Sequence, residues 1–498
     1  MRFADLISAD PTARLVHDTA RDVTDVVFDS RDVRPGAVFV ARRGLRDDGH
    51  EYVNVAVRSG AAAVVAERSV ETPNGIGFAV VANGRRALAA LARKFWGDPD
   101  RELGMVGVTG TDGKTTTCRL IAWMLRAYAI ETGEMTTVSM RIGDEERSKG
   151  TRLTTPEAPA VARAVREMAD ARCGWAVIEV ASHALELARV ESFGFDRAVI
   201  TNVTHEHLDV HGSIEGYRRA KRHLLDLLGT NPDSVHGKAA ILNAADPVVA
   251  EFASGLPHPV VTFAVDAPAD VSATWSTLDT GHITVRGSSP WGGWDAPTHL
   301  LGGVNAWNVA AAIACVGSIT GDPGPGAAFL AQMPPVPGRM QVIDRGQPFR
   351  LIVDFAHTPH SLEGRLRELR DVTSGRLIVV FGSAGEQDVA KRPMLGAVAA
   401  RTADLSIVAD EDPRGELPMD IAQAIVRGGQ EAEGGGEFEI ILDRRAAIRR
   451  VIEIARPGDT VLLTGKGHEP NILYDGYALP WDEAGIAREE LEAAGYAT

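Results

Sequence analysis

The segment Thr109-Gly110-Thr111-Asp112-Gly113-Lys114-Thr115-Thr116-Thr117 carries the most legible chemistry in this chain. It follows the apolar run Met105-Val106-Gly107-Val108 and precedes a helical pattern across Leu120 to Leu125. A buried strand that ends in glycines and runs into Lys-Thr-Thr at a helix start presents backbone N–H groups and an ammonium to a polyphosphate. Gly110, Thr111, Asp112, Gly113, Lys114, Thr115 and Thr116 are therefore expected to hold a nucleoside triphosphate. The loop is shorter than the common phosphate-loop pattern, because position 108 is Val where that pattern has Gly.

Further candidates stand where apolar runs end, the side on which open parallel sheets place their chemistry. Glu179 closes Ala176-Val177-Ile178 and leads into Val180-Ala181-Ser182-His183. Its carboxylate suits Mg²⁺, a hard cation that takes oxygen ligands and nucleotide phosphates, although a capping or ion-paired Glu has the same local pattern. The stretch Thr201 to Gly212 holds His205, Glu206, His207, Asp209 and His211. Cys is absent there and the spacing is not H-E-x-x-H, so His207 reads as a magnesium ligand, with His205 and His211 as solvated loop residues. Tyr217-Arg218-Arg219-Ala220-Lys221-Arg222 is basic and helical, and by itself reads as a solvated helix face. Asn305 and Asn308 offer amides to a base edge, and Asp354 could hold ribose hydroxyls; helix caps or turn residues are the plain alternative for each.

The elements that must position these residues follow from hydrophobic periodicity. Short apolar runs at Val23 to Asp29, Ala37 to Ala41, Ala61 to Ala66 and Gly77 to Val81, with a helix near Glu51 to Ser59, predict a small α/β domain over 1–101. Strand candidates Ala176 to Val180, Ala198 to Asn202, Ala239 to Asn243 and Val260 to Val265 predict a mostly parallel, doubly wound nucleotide-binding domain over 102–338. Ala273 to Leu300 reads as short antiparallel strands, and Pro334-Pro335-Val336-Pro337-Gly338 as a linker. Leu351 to Phe355, Leu377 to Phe381, Leu405 to Ala409, Phe438 to Leu442 and Thr460 to Thr464 alternate with helices in a Rossmann-like domain over 339–498.

Composition bounds the partners. A net charge of −15 on 498 residues disfavours nucleic acid and anionic membrane surfaces. Cys118, Cys173 and Cys315 are too few and too scattered for a disulfide framework, and fit reduced core thiols. No signal peptide or long apolar span is evident, so a cytoplasmic protein acting on small molecules, as a monomer, is expected.

The ordered motifs resemble the Mur ligase family, and most closely its MurE-type branch, over nearly the full chain. Those motifs are Asp29-Ser30-Arg31, Thr154-Thr155-Pro156, Gly110 to Thr116, His207-Leu208-Asp209, Ala220-Lys221 and Pro337-Gly338-Arg339-Met340. Asp354 with Ala356-His357-Thr358-Pro359, Lys391-Arg392-Pro393, Asp412-Pro413-Arg414 and Gly465-Lys466-Gly467-His468-Glu469 extend the match. The resemblance implies an ATP-dependent ligase that adds a diamino acid, with meso-diaminopimelate foremost, to UDP-N-acetylmuramoyl-L-alanyl-D-glutamate through an acyl phosphate. Peptidoglycan precursor synthesis is the process implied. It implies that Lys114 opposes developing charge, that Thr115, Glu179 and His207 hold Mg²⁺, and that Lys221 is carbamylated into a further magnesium ligand. ATP contacts are implied for Asn305, Asn308, Arg339 and Asp354, and contacts to the UDP-linked substrate for Ser30, Thr154, Thr155, Ser182 and Arg189. The amino acid falls to Gln387, Asp412, Arg414, Gly465 and Glu469, and the C-terminal domain is expected to close so that Arg414 and Glu469 reach the acyl phosphate.

The chain departs from the family pattern at particular positions. Asp112 stands where the family has Asn, and Glu411-Asp412-Pro413-Arg414 replaces D-N-P-R. Asp412 adds an anion that should weaken binding of a distal carboxylate unless a cation pairs with it, while Arg414 favours such a carboxylate. Gln387 stands where an arginine is usual, and Ala181, Leu45-Arg46 and His205-Glu206 also differ. These departures leave open a related ligase that couples an amino acid to a different acid in specialised metabolism; a non-catalytic nucleotide-binding scaffold is the alternative of another class, against which the intact Lys114, Glu179, His207 and Lys221 argue.

Overall fold

The uncharged run Gly104–Thr109 forms a strand buried along its whole length, as a segment apolar on both faces does when helices cover both sides of a sheet. It belongs to a computed structural model that describes residues 1–44, 47–149, 151–204, 211–230, 234–278 and 281–496. The chain divides into two compact units. One comprises Met1–Thr274, Arg286–Asp295 and Trp307–Phe329; the other comprises Trp275–Val285, Ala296–Ala306 and Leu330–Thr498.

The first unit opens with β1 (Arg14–His17), β2 (Asp25–Val27), β3 (Ala37–Ala41), β4 (Ala63–Ala66) and β5 (Gly77–Val80), ordered β1-β5-β4-β3-β2. Only β1 runs antiparallel to its neighbour. Val38, Val40, Val65 and Ala79 face the helix Gly84–Phe95, which buries Ala87, Leu88 and Leu91 and is capped by the Asn83 side chain. The helix expected at 51–59 is a 3-10 turn, Gly49–Tyr52, followed by Val53–Arg58. Strand β1 escaped the periodicity reading because all four of its residues are exposed, leaving no alternation to detect.

The central sheet holds β6 (Gly104–Thr109), β7 (Thr132–Met135), β8 (Met140–Ile142), β9 (Glu145–Arg147), β10 (Trp175–Glu179), β11 (Arg197–Ile200), β12 (Ala239–Asn243) and β13 (Val260–Val265). The order β13-β12-β11-β6-β10-β7 is parallel throughout, and β8 and β9 continue it as an antiparallel edge. Because β10 and β11 flank β6, their C-terminal ends bring residues 110–113, Glu179 and Thr201 side by side. Beyond β13 come β14 (Val271–Thr277), β15 (His282–Ser289) and β16 (Gly292–Leu301), longer than the short strands expected, and shared between the two units.

In the second unit β17 (Gln341–Ile343), β18 (Arg350–Val353), β19 (Leu377–Phe381), β20 (Leu405–Val408), β21 (Glu437–Ile440) and β22 (Thr460–Leu463) form a sheet ordered β17-β18-β22-β19-β20-β21. All pairs but β17–β18 are parallel. One face packs on Leu362, Leu366, Leu395 and Ile425, the other on Ile448, Val451 and Leu491. A separate hairpin, β23 (Asn471–Tyr474) with β24 (Tyr477–Pro480), follows the sheet. No helix among the described residues is long and apolar enough to cross a membrane. Cys118, Cys173 and Cys315 are free and buried, as core thiols should be.

Candidate active site

Residues 110–113 turn tightly because glycine alone fits two of their positions. Gly110 has φ +155° and Gly113 has φ +83°. A Cβ on Gly110 would lie 1.8 Å from Thr201 Oγ1, and one on Gly113 would lie 2.1 Å from Asn308 Oδ1. Asn202 Oδ1 accepts the N–H groups of Thr111 (3.1 Å) and Asp112 (2.9 Å), tying the loop to the end of β11. Asp112 therefore preserves the turn, its carbonyl accepting from Thr201 Oγ1 at 2.6 Å. The helix Lys114–Arg126 starts at the loop, with Thr115 and Thr116 buried in its first turn. Lys114 Nζ donates to the carbonyls of Gly110 (3.0 Å) and Thr111 (2.8 Å).

Glu179, 1% exposed, ends β10 beside that first turn. It accepts from Thr115 Oγ1 at 2.9 Å, from Thr137 N at 2.6 Å and from Thr137 Oγ1 at 2.7 Å. This set of hard oxygens around a buried carboxylate fits Mg²⁺. Lys221 is also 1% exposed, so the solvated face expected for residues 217–222 is wrong for Tyr217 and Lys221, which turn inward from the helix Ile214–Asp226. Lys221 Nζ donates to Gly110 O at 2.5 Å and lies 4.5 Å from the centroid of the Tyr217 ring. The Tyr217 hydroxyl meets Thr111 Oγ1 at 3.0 Å. His207, together with His205, Glu206, Leu208 and Asp209, lies outside the described residues. Among the described residues no group of three or more His, Cys, Asp or Glu could hold a metal ion.

The residues expected at the UDP-linked substrate occupy the same unit. Thr155 Oγ1 donates to the Glu179 carbonyl at 2.7 Å and accepts from Ala181 N at 3.0 Å. Arg189 reaches Thr155 O at 3.1 Å and Glu157 Oε1 at 3.0 Å, while Arg42 binds the other Glu157 oxygen at 2.9 Å. Ser182 Oγ lies 3.1 Å from His211 Nε2, so His211 is not a solvated loop residue. Lys149 Nζ donates to the carbonyls of Leu153 (2.6 Å) and Thr154 (2.8 Å), and burial pushes its ammonium down to about 8 against the pull of Glu179. Ser30 lines a separate recess of 370 Å³ with Phe28, Arg42 and Tyr52.

In the second unit Asp354 directly follows β18, where its two oxygens accept from Met340 N (2.8 Å) and Ala356 N (2.9 Å). Arg339 lies over the Phe355 ring at 4.6 Å, and Asn305 donates to Leu301 O at 2.7 Å. Asn308 belongs to the first unit, where it accepts from Thr117 Oγ1 at 3.4 Å. The expected amino-acid residues gather behind β19, β20 and β22. Asp412 has its cation: Lys466, wholly buried, bonds Asp412 Oδ1 at 2.8 Å and Glu469 Oε2 at 2.5 Å. Arg414, at φ +54°, donates its backbone N–H to Leu473 O at 2.9 Å. Its guanidinium faces the Gln387 amide, whose oxygen accepts at 2.9 Å and 3.3 Å when the amide is turned so that its oxygen, not its nitrogen, meets the arginine.

Sequence reasoning passed over Thr137, Asn202, Glu157, Lys149 and the role of Lys466. Lys466 carried a signal as the cation inside Gly465-Lys466-Gly467-His468-Glu469, and Asn202 only as the end of a strand candidate; the others sit in loops with no periodicity.

The chain is similar to known proteins over nearly its whole length. Residues 108–316 match the Mur ligase middle domain, 338–467 the Mur ligase glutamate ligase domain, and 22–96 the Mur ligase family catalytic domain. A UDP-N-acetylmuramyl-tripeptide synthetase of Roseiflexus sp. (strain RS-1) is 45% identical over 95% of this chain and 96% of its own. A UDP-N-acetylmuramoyl-L-alanyl-D-glutamate–2,6-diaminopimelate ligase of Geobacillus kaustophilus (strain HTA426) is 39% identical over 99% of this chain and all of its own (100%). A solved structure of a ligase of the latter description is 28% identical, with a TM-score of 0.66 over 95% of this chain and 96% of that one.

Proposed function

The chain belongs to the Mur ligase family and is an ATP-dependent ligase, and we propose that it joins a diamino acid, with meso-diaminopimelate foremost, to UDP-N-acetylmuramoyl-L-alanyl-D-glutamate. The observation that carries this reading is the meeting of Lys114, Lys221, Thr115 and Glu179 around one phosphate-type turn. An acid that attacks a γ-phosphate brings two anions together, and such a turn opposes that repulsion.

The substrate carboxylate attacks the γ-phosphorus, the bond to the β-phosphate oxygen breaks, and ADP leaves an acyl phosphate. The amine nitrogen then attacks the acyl carbon, phosphate departs and the amine gives up a proton. Lys114 and the N–H groups at the start of the helix Lys114–Arg126 hold the phosphates in line. Arg189, steadied by Glu157, and Thr155 orient the acid. Ser30, Thr154 and Ser182 complete the contacts to the UDP-linked substrate, while Asn305, Asn308, Arg339 and Asp354 receive the adenosine end of ATP. Gln387, Asp412, Arg414, Gly465 and Glu469 take the amino acid.

Thr115 and Glu179, with His207 and a carbamylated Lys221, are the residues that would hold Mg²⁺, which supplies charge neutralisation between phosphate and carboxylate. Carbamylation turns Lys221 from a cation beside Lys114 into an anion, which removes their mutual repulsion. Phosphate release, measured with ATP, UDP-N-acetylmuramoyl-L-alanyl-D-glutamate and a panel of diamino acids, tests the reading. A protein that binds ATP and ligates none of them overturns it.

A further inference from the structure

Ser182 and His211 stand 29 positions apart in the chain, and their side chains meet with Ser182 Oγ 3.1 Å from His211 Nε2. Ser182 is 3% exposed and the His211 side chain is wholly buried, so the bond forms away from competing water. The imidazole is held from several sides. The His183 ring packs edge-to-face on it at 5.6 Å and the Tyr217 ring at 5.3 Å, while Glu186 Oε2 stands 3.9 Å from Nδ1. Tyr217 is in turn fixed, being buried with its hydroxyl on Thr111 Oγ1 at 3.0 Å.

A serine hydroxyl carries one hydrogen and two lone pairs, and its side chain turns among staggered rotamers unless something holds it. The bond to Nε2 takes up one of those capacities and leaves the others pointing in fixed directions. Direction matters at this turn, because Val180-Ala181-Ser182-His183 carries a single hydroxyl, Ala181 standing where the family pattern has serine. The turn also borders the residues that orient the acid. Ala181 N donates to Thr155 Oγ1 at 3.0 Å, and Thr155 O accepts from Arg189 at 3.1 Å.

We infer that His211 is a positioning residue for the acid: it holds the Ser182 hydroxyl in the orientation in which that hydroxyl contacts the UDP-linked substrate. His211 acts through Ser182, and its effect belongs to binding rather than to the chemical step. The inference rests on the reading of Ser182 as a contact to that substrate.

The test uses the full chain with UDP-N-acetylmuramoyl-L-alanyl-D-glutamate. Its dissociation constant is read by calorimetry without turnover, and its KM by phosphate release with ATP and meso-diaminopimelate. His211→Phe, which keeps an aromatic ring and removes the bond, should raise both by about 3- to 10-fold and leave kcat and the KM for ATP within about twofold. Ser182→Ala should cost a similar factor, and the double variant no more than the larger single loss. His211→Gln, whose amide nitrogen reaches the place of Nε2, should recover most of the affinity; His211→Asn, one carbon shorter, should not. Losses that multiply in the double variant overturn the inference, because the two residues then act independently. A His211→Phe enzyme that loses kcat with affinity unchanged overturns it as well. So does one whose KM for ATP rises as far as that for the acid, the mark of a disturbance passed through Tyr217 to Thr111. Should His211→Phe not fold, equal affinities of the His211→Gln and His211→Asn enzymes overturn it instead. Binding of the acid without ligation of any amine overturns the ligase reading and leaves the inference to be decided by the dissociation constants. No binding of the acid by the wild type overturns both.

Discussion

Two ammonium groups converge on one carbonyl: Lys114 reaches Gly110 O at 3.0 Å and Lys221 reaches it at 2.5 Å. Loss of either should be felt in the chemistry rather than the fold. Lys221→Ala is expected to lower ligation by roughly 10²-fold or more while ATP binding, followed by titration with a fluorescent analogue, survives. Added bicarbonate should not restore it, and wild-type turnover in that variant would remove the carbamate role. A different outcome is expected at Lys466, which compensates Asp412 and Glu469 in a wholly buried position. Lys466→Met should cost about 3–5 kcal/mol in urea unfolding, because it strands buried anions. The motif lysines were visible in the sequence. Their partners were not, since Glu179 and Thr115 meet across 64 positions and Lys466 and Asp412 across 54.

Elements hold these residues at their distances. Thr137, which gives Glu179 two of its hydrogen bonds, sits in the turn between β7 and β8, and that turn is tied down through Ser139. Glu146 on β9 accepts from Ser139 and Arg119 and pairs with Arg141. Burial pushes the Glu146 carboxyl up, but the bonds from Arg119 and Ser139 outweigh it and hold it at about 2. A depressed carboxyl stabilises the fold fully above its ordinary value of 4.5 and loses that contribution as pH falls from there to about 2. Stability against urea should thus decline over that window, and Glu146→Gln should flatten the decline. Gly113→Ala tests the phosphate turn itself. Its φ of +83° and the 2.1 Å approach to Asn308 predict a loss of about 1–3 kcal/mol and weaker nucleotide binding, read by thermal shift with ADP. The parallel strands were legible because buried runs of apolar residues bounded by turns have few other readings. Strand β1 and the hairpin β23–β24 were not, because their residues, all but Ile472 exposed or half-exposed, leave no such imprint.

At the scale of the molecule, two compact units with their own cores should not unfold as one step. All three thiols lie in the first unit, and burial pushes Cys315 up to about 12 and raises Cys118 and Cys173. Thiol labelling under increasing urea should therefore follow the first unit alone, while far-ultraviolet circular dichroism reports both. Coincident curves would show one cooperative transition. The sequence by itself determined the phosphate turn, the α/β layers and the family, since backbone tolerance, hydrophobic period and motif order are properties of neighbours along the chain. Only the tertiary structure decided that Lys221 turns inward to Gly110, 111 positions away, and that Asp412 carries its own buried cation. The reason is physical: the worth of a charge depends on its burial and on what stands within a few ångströms, and neither quantity is written in local order.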